Sequence, residues 1–504
     1  MIVPIVLKKE LTTVNRSIIK VTKKRVFFAS SLLLFEFLIS IQSHGAPTVL
    51  KIQDVIDMTL SQSLNYQDIN LGYQKSELAR FLTEANYDTS LTARVQNDDS
   101  KLETMGAISN DRDKTTSWLL GVSRKFSTGS TLGLDYSFVH RDSDLSAYAI
   151  SVNASPIQYY HLTTLSFKQE LLNNSFGYRD RRSLLSADLQ FQRAKFERDE
   201  ATEELILQSI KIYLDAYFAQ ENLKQSLAAR EKYNLLLKSI QQKNKMGFDD
   251  RSELTKTKAE VQNQERNVKS ASLIYLNLIE KLYSILNVPL PEDVVVDVPE
   301  IIPAINPSSP PSVIEKLRKS QSMDLLVQAT DADHDAATNN ELISLNFFAQ
   351  AAYSGLDKEN SPALSEMNEH EKRKYTLGLE LSMKWGGSSQ KAEKLSKYVA
   401  HEEALNAQKK VRNELFEILD RTERNLKSRY VIATHAQETV KIWEEAMKSQ
   451  ERNHRFGRIT TTELILDFTS YFRAKSSLSG AIADYQMSLY EYQAARDNLI
   501  LSKN

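Results

Sequence analysis

Two long runs of helical pattern meet at Asn453-His454-Arg455-Phe456-Gly457-Arg458-Ile459-Thr460-Thr461-Thr462-Glu463-Leu464. The run before this segment starts after Gly387 and contains neither proline nor glycine until Gly457. A continuous helix of that length is about 100 Å long, far longer than a compact domain needs. The second run returns from Leu464 to Leu499. The segment therefore predicts the turn of a very long helical hairpin.

The same pattern occurs 210 residues earlier in the chain. The matched positions are the turns Lys245-Met246-Gly247 and Arg455-Phe456-Gly457, the glutamates Glu253 and Glu463, the glycines Gly177 and Gly387, and the tyrosines Tyr275 and Tyr485. In both halves the two glycines stand 70 residues apart. Self-similarity at a fixed spacing is the sequence signature of a repeated structural unit. We therefore predict an internal two-fold repeat.

Each long helix needs a return path of equal length. The returning helices, Ser252–Leu286 and Thr462–Leu499, are only about half as long. The helices that open the two halves, Ile52–Asn86 and Val313–Asn340, are predicted to complete the path, and their offset of 259 leaves 49 extra residues in the first half. The predicted organisation is a first repeat at 46–290 (strands at 90–170, hairpin at 178–286), a proline-rich linker at 291–312, and a second repeat at 313–504 (strands at 343–385, hairpin at 388–499).

The first 45 residues have the pattern of a secretory signal peptide. The basic stretch Lys20–Arg25 precedes the apolar run Val26–Ile41, and cleavage is expected near Gly45 or Ala46. A retained membrane anchor is the alternative, because Glu36 interrupts the apolar run. Residues 1–45 hold seven of the 64 Lys and Arg residues and two of the 65 Asp and Glu residues, so the rest of the chain has a net charge of −6. This balance gives no support to nucleic-acid binding.

Two regions change from a helical period to a period of two. Residues 90–170 contain four alternating runs and residues 343–385 contain two, as where Leu132, Leu134 and Tyr136 alternate with polar or small residues. A half-buried soluble sheet and a membrane-spanning barrel both show this alternation. Export favours the barrel, yet a single-chain barrel needs at least eight strands and an open sheet edge cannot persist in lipid. Several copies are therefore predicted to pool their strands.

The order of opening helix, strands, long helix, glycine turn and returning helix resembles the TolC family of outer-membrane efflux proteins. The resemblance covers essentially all of the chain after the signal peptide and is most specific at Lys245–Leu286 and Arg455–Leu499. It implies an α+β fold in which a homotrimer shares an outer-membrane β-barrel that continues into a long periplasmic α-helical coiled-coil barrel. The linker region, Asn287–Pro311, would belong to a belt around the equator of the tunnel.

The same resemblance implies a passive exit duct of a tripartite efflux or type I secretion system in a Gram-negative-type bacterium. Its partners would be outer-membrane lipid, a periplasmic adaptor and an inner-membrane pump. A periplasmic coiled-coil scaffold without a membrane barrel is the alternative. Family members contribute four strands per copy to a twelve-stranded barrel, whereas this sequence predicts six. The 49 extra residues form either a longer extracellular hairpin, which we favour, or strands that enlarge the barrel to eighteen.

The resemblance also places function at the hairpin tips. It implies that Glu253 and Glu463, each six residues after a turn glycine, line the periplasmic aperture, with Arg458 beside them. It further implies that an adaptor docks on the turns Lys245-Met246-Gly247 and Arg455-Phe456-Gly457. The alternative for the two glutamates is a structural one, because an acidic residue in the first turn stabilises a helix N-terminus.

Catalytic chemistry finds no support in the sequence. The eight histidines form no HExxH pair, the chain has no cysteine, and no glycine-rich phosphate loop follows a strand. We therefore expect no enzyme activity, cofactor or metal. His140, His161 and His454 are expected to be solvated or lining residues, and the almost uniformly apolar segment Leu205–Ala219 is expected to be buried on several sides.

Overall fold

The computed structural model describes residues 48–101, 110–145, 151, 155–246, 251–299, 314–383 and 385–501. The predicted signal peptide, the turn glycine Gly247 and most of the proline-rich linker lie outside the described residues. Among the described residues, no helix combines the length and apolar character that crossing a membrane requires.

The elements follow one another along the chain as strands, short helices and two very long helices. They are β1 (Thr48–Lys51), α1 (Ile52–Gln62), α2 (Leu64–Glu84), β2 (Thr89–Ser100), β3 (Asn110–Lys125), β4 (Ser130–Leu145), β5 (Ile157–Glu170), α3 (Tyr178–Lys245), α4 (Arg251–Leu286), β6 (Val294–Asp297), α5 (Arg318–Asn340), β7 (Ser344–Asp357), α6 (Asn360–Asn368), β8 (Arg373–Ser382), α7 (Ser388–Arg455), α8 (Thr461–Ala494) and α9 (Asn498–Leu501).

The two long helices, α3 and α7, each contain 68 residues, which corresponds to about 100 Å. Helix α3 lies in the middle of the molecule, with α2 and α4 on one side and α5 and α8 on the other. Helix α7 packs against the far side of α5 and α8. The shorter helices therefore fill the columns beside the long ones, and the helical layer ends in α2 and α4 at one flank and in α7 at the other.

The main apolar core lies halfway along α3. The expectation for Leu205–Ala219 is confirmed, because this segment supplies Ile206, Ile210 and Tyr213 to a cluster of buried residues. The Tyr213 hydroxyl donates hydrogen bonds to the carbonyl oxygens of Leu50 (3.0 Å) and Asp297 (2.5 Å). These two residues belong to β1 and β6, which pair in parallel. No sequence pattern predicted this small sheet, which ties the start of the chain to the region between the halves.

The remaining six strands form one antiparallel sheet in the order β2-β3-β4-β5-β7-β8. The predicted count of four strands in the first half and two in the second is confirmed. Cross-strand partners place apolar side chains on one common face; examples are Leu91 opposite Val122, Leu134 opposite Leu165, and Ala349 opposite Leu377. Most of the large side chains on this face are exposed.

The β3–β4 hairpin lies within the sheet, and its turn is at the end next to the helices. The Gly129 carbonyl at this turn accepts a hydrogen bond from the Glu170 amide (3.1 Å), where β5 leads into α3. The preference for an extracellular hairpin is therefore wrong. Both extra strands run the height of the sheet, because β3 pairs with β2 and β4 pairs with β5 along nearly their whole lengths.

Helix α6, in the segment that connects β7 to β8, covers the opposite end of β5 and β7. His161 lies beneath it, only 3% exposed. Its ring nitrogens hydrogen-bond to the Tyr136 hydroxyl (2.7 Å) and to the Asn360 side-chain oxygen (2.9 Å). The expectation that His161 is solvated or lining is therefore wrong, because a helix between two strands covers it. His140 lies half-buried beside Tyr159, with 4.6 Å between the ring centres.

Two expected helices are shorter than the sequence suggested. The opening helix breaks at Ser63, whose backbone is extended, and becomes α1 and α2. The last returning helix ends at Ala494 instead of Leu499, and Asp497 follows with a left-handed backbone (φ 58°). Both breaks lie near the equator, where the chain has to leave one column and enter the next.

The joint between the sheet and α3 depends on Gly177. Its φ of 77° is left-handed, and a Cβ there would lie 1.8 Å from the Ser127 carbonyl oxygen in the β3–β4 turn. Gly457, at the tip, has a similar φ of 67° but open space around it.

We therefore expect Gly177→Ala to destabilise the protein by about 3 kcal/mol or more, since backbone strain and a steric clash combine. Gly457→Ala is the matched control and should cost only the strain, about 1–2 kcal/mol. Thermal unfolding followed by circular dichroism measures both. An equal decrease in the free energy of unfolding for the two variants would show that the close contact at Gly177 does not contribute to stability.

Candidate functional site at the hairpin tips

The two hairpin tips lie together at the end of the helices remote from the sheet. Near the tips, Tyr233 of α3 and Phe468 of α8 pack edge to face, 5.5 Å between ring centres, in a cluster that includes residues of all four tip helices. The Tyr233 hydroxyl also donates to the Ile465 carbonyl (3.2 Å). Lys232 and Glu451 form an ion pair of 2.7 Å between α3 and α7. The tips of the two hairpins are therefore one packed unit.

The second turn is fixed by backbone hydrogen bonds that end α7. The Gly457 amide donates to the His454 carbonyl (3.0 Å) and the Arg458 amide to the Asn453 carbonyl (2.9 Å). The left-handed φ of Gly457 is what allows this helix ending. Phe456 at this turn is 70% exposed, and Met246 at the corresponding position of the first turn is 68% exposed. Within the described part of each tip, a large apolar side chain therefore faces solvent.

Helix α8 begins with a reciprocal cap formed by Thr460 and Glu463. The Glu463 amide donates to the Thr460 hydroxyl oxygen (3.2 Å), and the Thr460 amide donates to the Glu463 carboxylate (2.7 Å). This backbone hydrogen bond, with a further one from the Thr460 hydroxyl, lowers the pKa of Glu463 from its usual value. The carboxylate is exposed and ionised while it caps the helix.

A second set of hydrogen bonds links the first tip to the second. The Thr461 hydroxyl, which is buried, donates to the Glu253 carboxylate at the start of α4 (2.9 Å). The same hydroxyl lies 3.2 Å from Nε2 of His454. His454 is only 6% exposed. The expectation that His454 is solvated or lining is therefore wrong, because α8 folds back over the last turn of α7.

The basic residues of the second tip point to solvent. Arg455 and Arg458 are exposed, and the Arg458 guanidinium lies 5.7 Å from the centre of the Phe456 ring. Lys245 is likewise exposed at the end of α3. The structure therefore places most of the predicted site residues at one end of the molecule. Glu253 and Glu463 make hydrogen bonds there. The other predicted residues are exposed to solvent: Lys245, Met246, Arg455, Phe456 and Arg458.

Sequence reasoning missed a charged cluster at the equator. Arg318, at the start of α5, pairs with Glu200 (3.2 Å), with Glu203 and with Asp497 (3.4 Å). Burial raises the pKa of Glu200 above its usual value, although Arg318 opposes the shift. Glu200 and Glu203 are one helical turn apart on α3, but Arg318 and Asp497 each lie more than 100 residues further along the chain, and no short motif marks the cluster. Arg318 lies among the three carboxylates, and its ion pairs join α5 to α3 and to the C-terminal segment.

The architecture defines the class: the chain has the fold of outer-membrane channels of the TolC type, and the resemblance drawn from the sequence is confirmed. The outer-membrane channel CmeC of Campylobacter jejuni is 12% identical, with a TM-score of 0.68 over 91% of this chain and 90% of that one. The outer-membrane channel OprN is 15% identical, with a TM-score of 0.67 over 89% and 90%. The open state of the MtrE outer-membrane channel of Neisseria gonorrhoeae is 13% identical, with a TM-score of 0.66 over 89% of each chain.

Sequence comparison adds nothing to this likeness. No protein-family model matches the chain. No curated protein matches it either. At 11–15% identity the likeness establishes the fold alone, because proteins can keep the same long helices and paired strands when they share few residues.

The Thr460–Glu463 cap generates a prediction about pH. Since the pKa of Glu463 is lowered in the folded protein, the cap stabilises α8 above the pKa of an unfolded glutamate, and that contribution is lost as pH falls through the lowered folded value. Protection of the first-turn amides of α8 against hydrogen exchange should therefore decrease as pH falls below the usual range of a glutamate pKa. Glu463→Gln is the control and should remove this pH dependence. Identical protection profiles in the two proteins would contradict the capping role.

Proposed function

We propose that the protein is a member of the TolC family that works as a homotrimeric outer-membrane channel, the passive exit duct of a tripartite efflux or type I secretion system. The observation that carries the proposal is that the molecule has two flanks, at each of which an edge strand of the sheet and an outer helix of the helical layer lie without a further neighbour among the described residues. One flank consists of β2 with α2 and α4, and the other consists of β8 with α7. At each flank the sheet edge and the helical edge belong to neighbouring parts of the chain, so two copies can join along both levels at once.

The sheet edges support this assembly because they are long and apolar. The ladder of β2 with β3 runs without a bulge from Thr89 to Ser100, so its other side offers a continuous row of backbone groups. Leu91 and Val95 on β2 are largely exposed, as are Leu377 and Leu379 on β8. Edges of this kind are templates for pairing with another chain. Since β2 runs away from the helices and β8 runs towards them, β8 of one copy and β2 of the next would pair antiparallel.

The helical flanks carry exposed apolar side chains of the same kind. They are Leu71, Leu78 and Leu82 on α2, Leu273, Ile274 and Leu276 on α4, and Leu395, Val399, Phe416, Ile432 and Ile442 on α7. Large apolar patches of this sort mark interfaces. Contact between two different flanks is head to tail, and such contacts generate closed rings when the rotation closes. A ring of helices would surround a tunnel.

The apolar face of the sheet supports a location in the outer membrane, with the helices in the periplasm of a Gram-negative-type bacterium. A barrel in lipid carries apolar side chains outwards and polar or small ones inwards. On the opposite face of this sheet lie Ser117, Gly121, Asp135, Ser166 and Glu380. The tips are then the part furthest from the membrane, where a periplasmic adaptor and, through it, an inner-membrane pump would connect.

This assembly predicts the behaviour of the protein in the cell. It should fractionate with the outer membrane and have the native mass of three mature chains after extraction in mild detergent. A soluble periplasmic monomer would contradict the proposal and favour a coiled-coil scaffold without a membrane barrel.

The exposed aromatic at the second tip predicts the docking site. Phe456→Ala should reduce co-purification of the native host's periplasmic adaptor at least about tenfold, because burying a phenylalanine contributes more than 1.4 kcal/mol. Leu466→Ala is the matched control, since Leu466 is also an exposed apolar residue but lies in α8, beyond the turn. Both variants should keep the mass of the trimer. Equal adaptor recovery from both would remove the tips from the interface.

The acidic residues at the tips predict ion selectivity. Three copies would bring six carboxylates, those of Glu253 and Glu463, towards one axis, with Arg458 nearby. Rings of carboxylates attract cations and repel anions. The purified channel in a planar bilayer should be cation-selective, less so as pH falls towards the glutamate range. The double variant Glu253→Gln, Glu463→Gln should lose much of this selectivity and of the block by divalent cations. Unchanged selectivity would mean that both carboxylates serve only the hydrogen bonds of the tips.

A further inference from the structure

The β3–β4 hairpin is as fully bonded as any other part of the sheet. On one side, β3 pairs with β2 from Thr89–Arg124 to Ser100–Asp113. On the other side, β4 pairs with β5 from Ser130–Gln169 to Asp142–Ile157. Strands β2 and β5 therefore make no direct contact, since the two strands of the hairpin separate them. Removing the hairpin would leave β2 and β5 antiparallel to one another and free to pair.

The turn of the hairpin is anchored to the base of the first long helix. Lys125, the last residue of β3, forms a 2.7 Å ion pair with Asp180 in the first turn of α3, and Asp180 is nearly buried. The Gln169 side chain donates to the Thr128 carbonyl (3.0 Å). Gly177, where α3 starts, packs against Ser127. A hairpin that projected away from the sheet would not make these contacts. A hairpin within the sheet makes them, because its turn meets the helices at the same level as the neighbouring strands do.

Both faces of the sheet continue across the hairpin. Trp118, Leu120 and Val122 of β3 extend the exposed apolar face, and each lies opposite an apolar or aromatic residue of β4. The other face carries mainly small and polar residues, Ser117, Gly121 and Ser123 on β3 and Gly133, Asp135 and Ser137 on β4, together with Leu119 and Val139. The hairpin thus has the two-faced pattern that a transmembrane wall requires.

We propose that the β3–β4 hairpin widens the transmembrane pore, so that each copy contributes six wall strands and three copies close an eighteen-stranded barrel. This inference rests on the proposed trimeric channel. The diameter of a barrel grows roughly linearly with its strand number, so the pore is about 1.5-fold wider than a twelve-stranded wall would give. Barrels of about 16–18 strands leave a water-filled channel. The partner surface is the edge of β8 on one copy and of β2 on the next.

Disulfide cross-linking in membranes tests the position of the hairpin, because the chain has no cysteine of its own. Ala93 and Leu120 are direct cross-strand partners, so the double variant Ala93→Cys, Leu120→Cys should oxidise within one chain. The control pair Ala93→Cys, Thr163→Cys should not, because three strand spacings, about 14 Å, separate β2 from β5. If the hairpin leaves the wall in the assembly, β2 meets β5, and the control pair links while the first pair does not.

A second cross-link tests the closing seam between copies. Ala93→Cys combined in turn with Leu377→Cys, Leu379→Cys or Leu381→Cys should give covalent trimers for the pair in register, since all four side chains lie on the apolar face. Leu120→Cys combined with the same three should give none, because β2 and β4 cover both sides of β3. Trimers with no seam cross-link at any of the three positions would overturn the proposed wall.

Pore size is the functional readout. Neutral polymers of graded radius, added on the barrel side of a planar bilayer, report the largest molecule that enters. Deleting residues 110–145 should lower this cut-off radius by about one third and still yield trimers. An unchanged cut-off would contradict the widening and leave the trimeric channel standing, whereas loss of channels and trimers from the full-length protein would contradict the proposed function itself. Should the deletion variant not assemble, the two cross-linking tests decide the question on the full-length chain.

Discussion

A sheet edge placed in lipid has no water to satisfy its amide and carbonyl groups, and under the proposed function this constraint governs the rest of the structure. Each unpaired group costs several kcal/mol in hydrocarbon. The six-stranded sheet of one molecule ends in β2 and β8, both long and both carrying exposed leucines. A single copy cannot close on itself with six strands. In the proposed assembly, joining of copies satisfies these edges, and the membrane covers the apolar face of the sheet.

The helical layer follows from the same requirement. Helices α2 and α7 adjoin the two edge strands in sequence, so closure of the sheet brings the helical flanks together as well. The joints hold the two levels in fixed register. At one of them the Asn174 side-chain oxygen accepts a hydrogen bond from the Asp180 amide in the first turn of α3 (3.0 Å), and its side-chain nitrogen donates to the Glu170 carboxylate at the end of β5. At the equator, Arg318 and its three carboxylates lock the second half onto α3. Removing one partner from such a buried charge cluster leaves the others uncompensated, which makes the equator sensitive to substitution.

Local sequence signals predicted the large features of the fold. The spacing of Gly177 and Gly247 sets the length of the first long helix, and alternation sets the strands, because both are properties of short windows of sequence. The position of the β3–β4 hairpin was predicted wrongly, because strand order depends on pairing between distant segments. The β1–β6 sheet was missed for a different reason: strands of four residues, such as Val294–Asp297, are too short to give an alternating pattern.

The candidate site divides in a similar way. The tips and their exposed Phe456 follow from the turn sequence and the two-fold spacing. The burial of His454 and its contact with Thr461 do not, because they depend on how α8 packs over α7. A structural role for Glu463 at a helix N-terminus was one of two alternatives read from the sequence, and the structure contains such a cap with Thr460 as its partner. The link from Thr461 to Glu253 joins residues 208 positions apart and has no local signature.

Electron cryo-microscopy of the mature protein in lipid nanodiscs would show directly whether the edges are paired. We expect three copies around one axis, with the edge strands paired between copies in a closed wall inside the lipid and the long helices forming a tunnel outside it. A single copy whose β2 and β8 edges stay unpaired, with the sheet outside the lipid, would contradict this expectation.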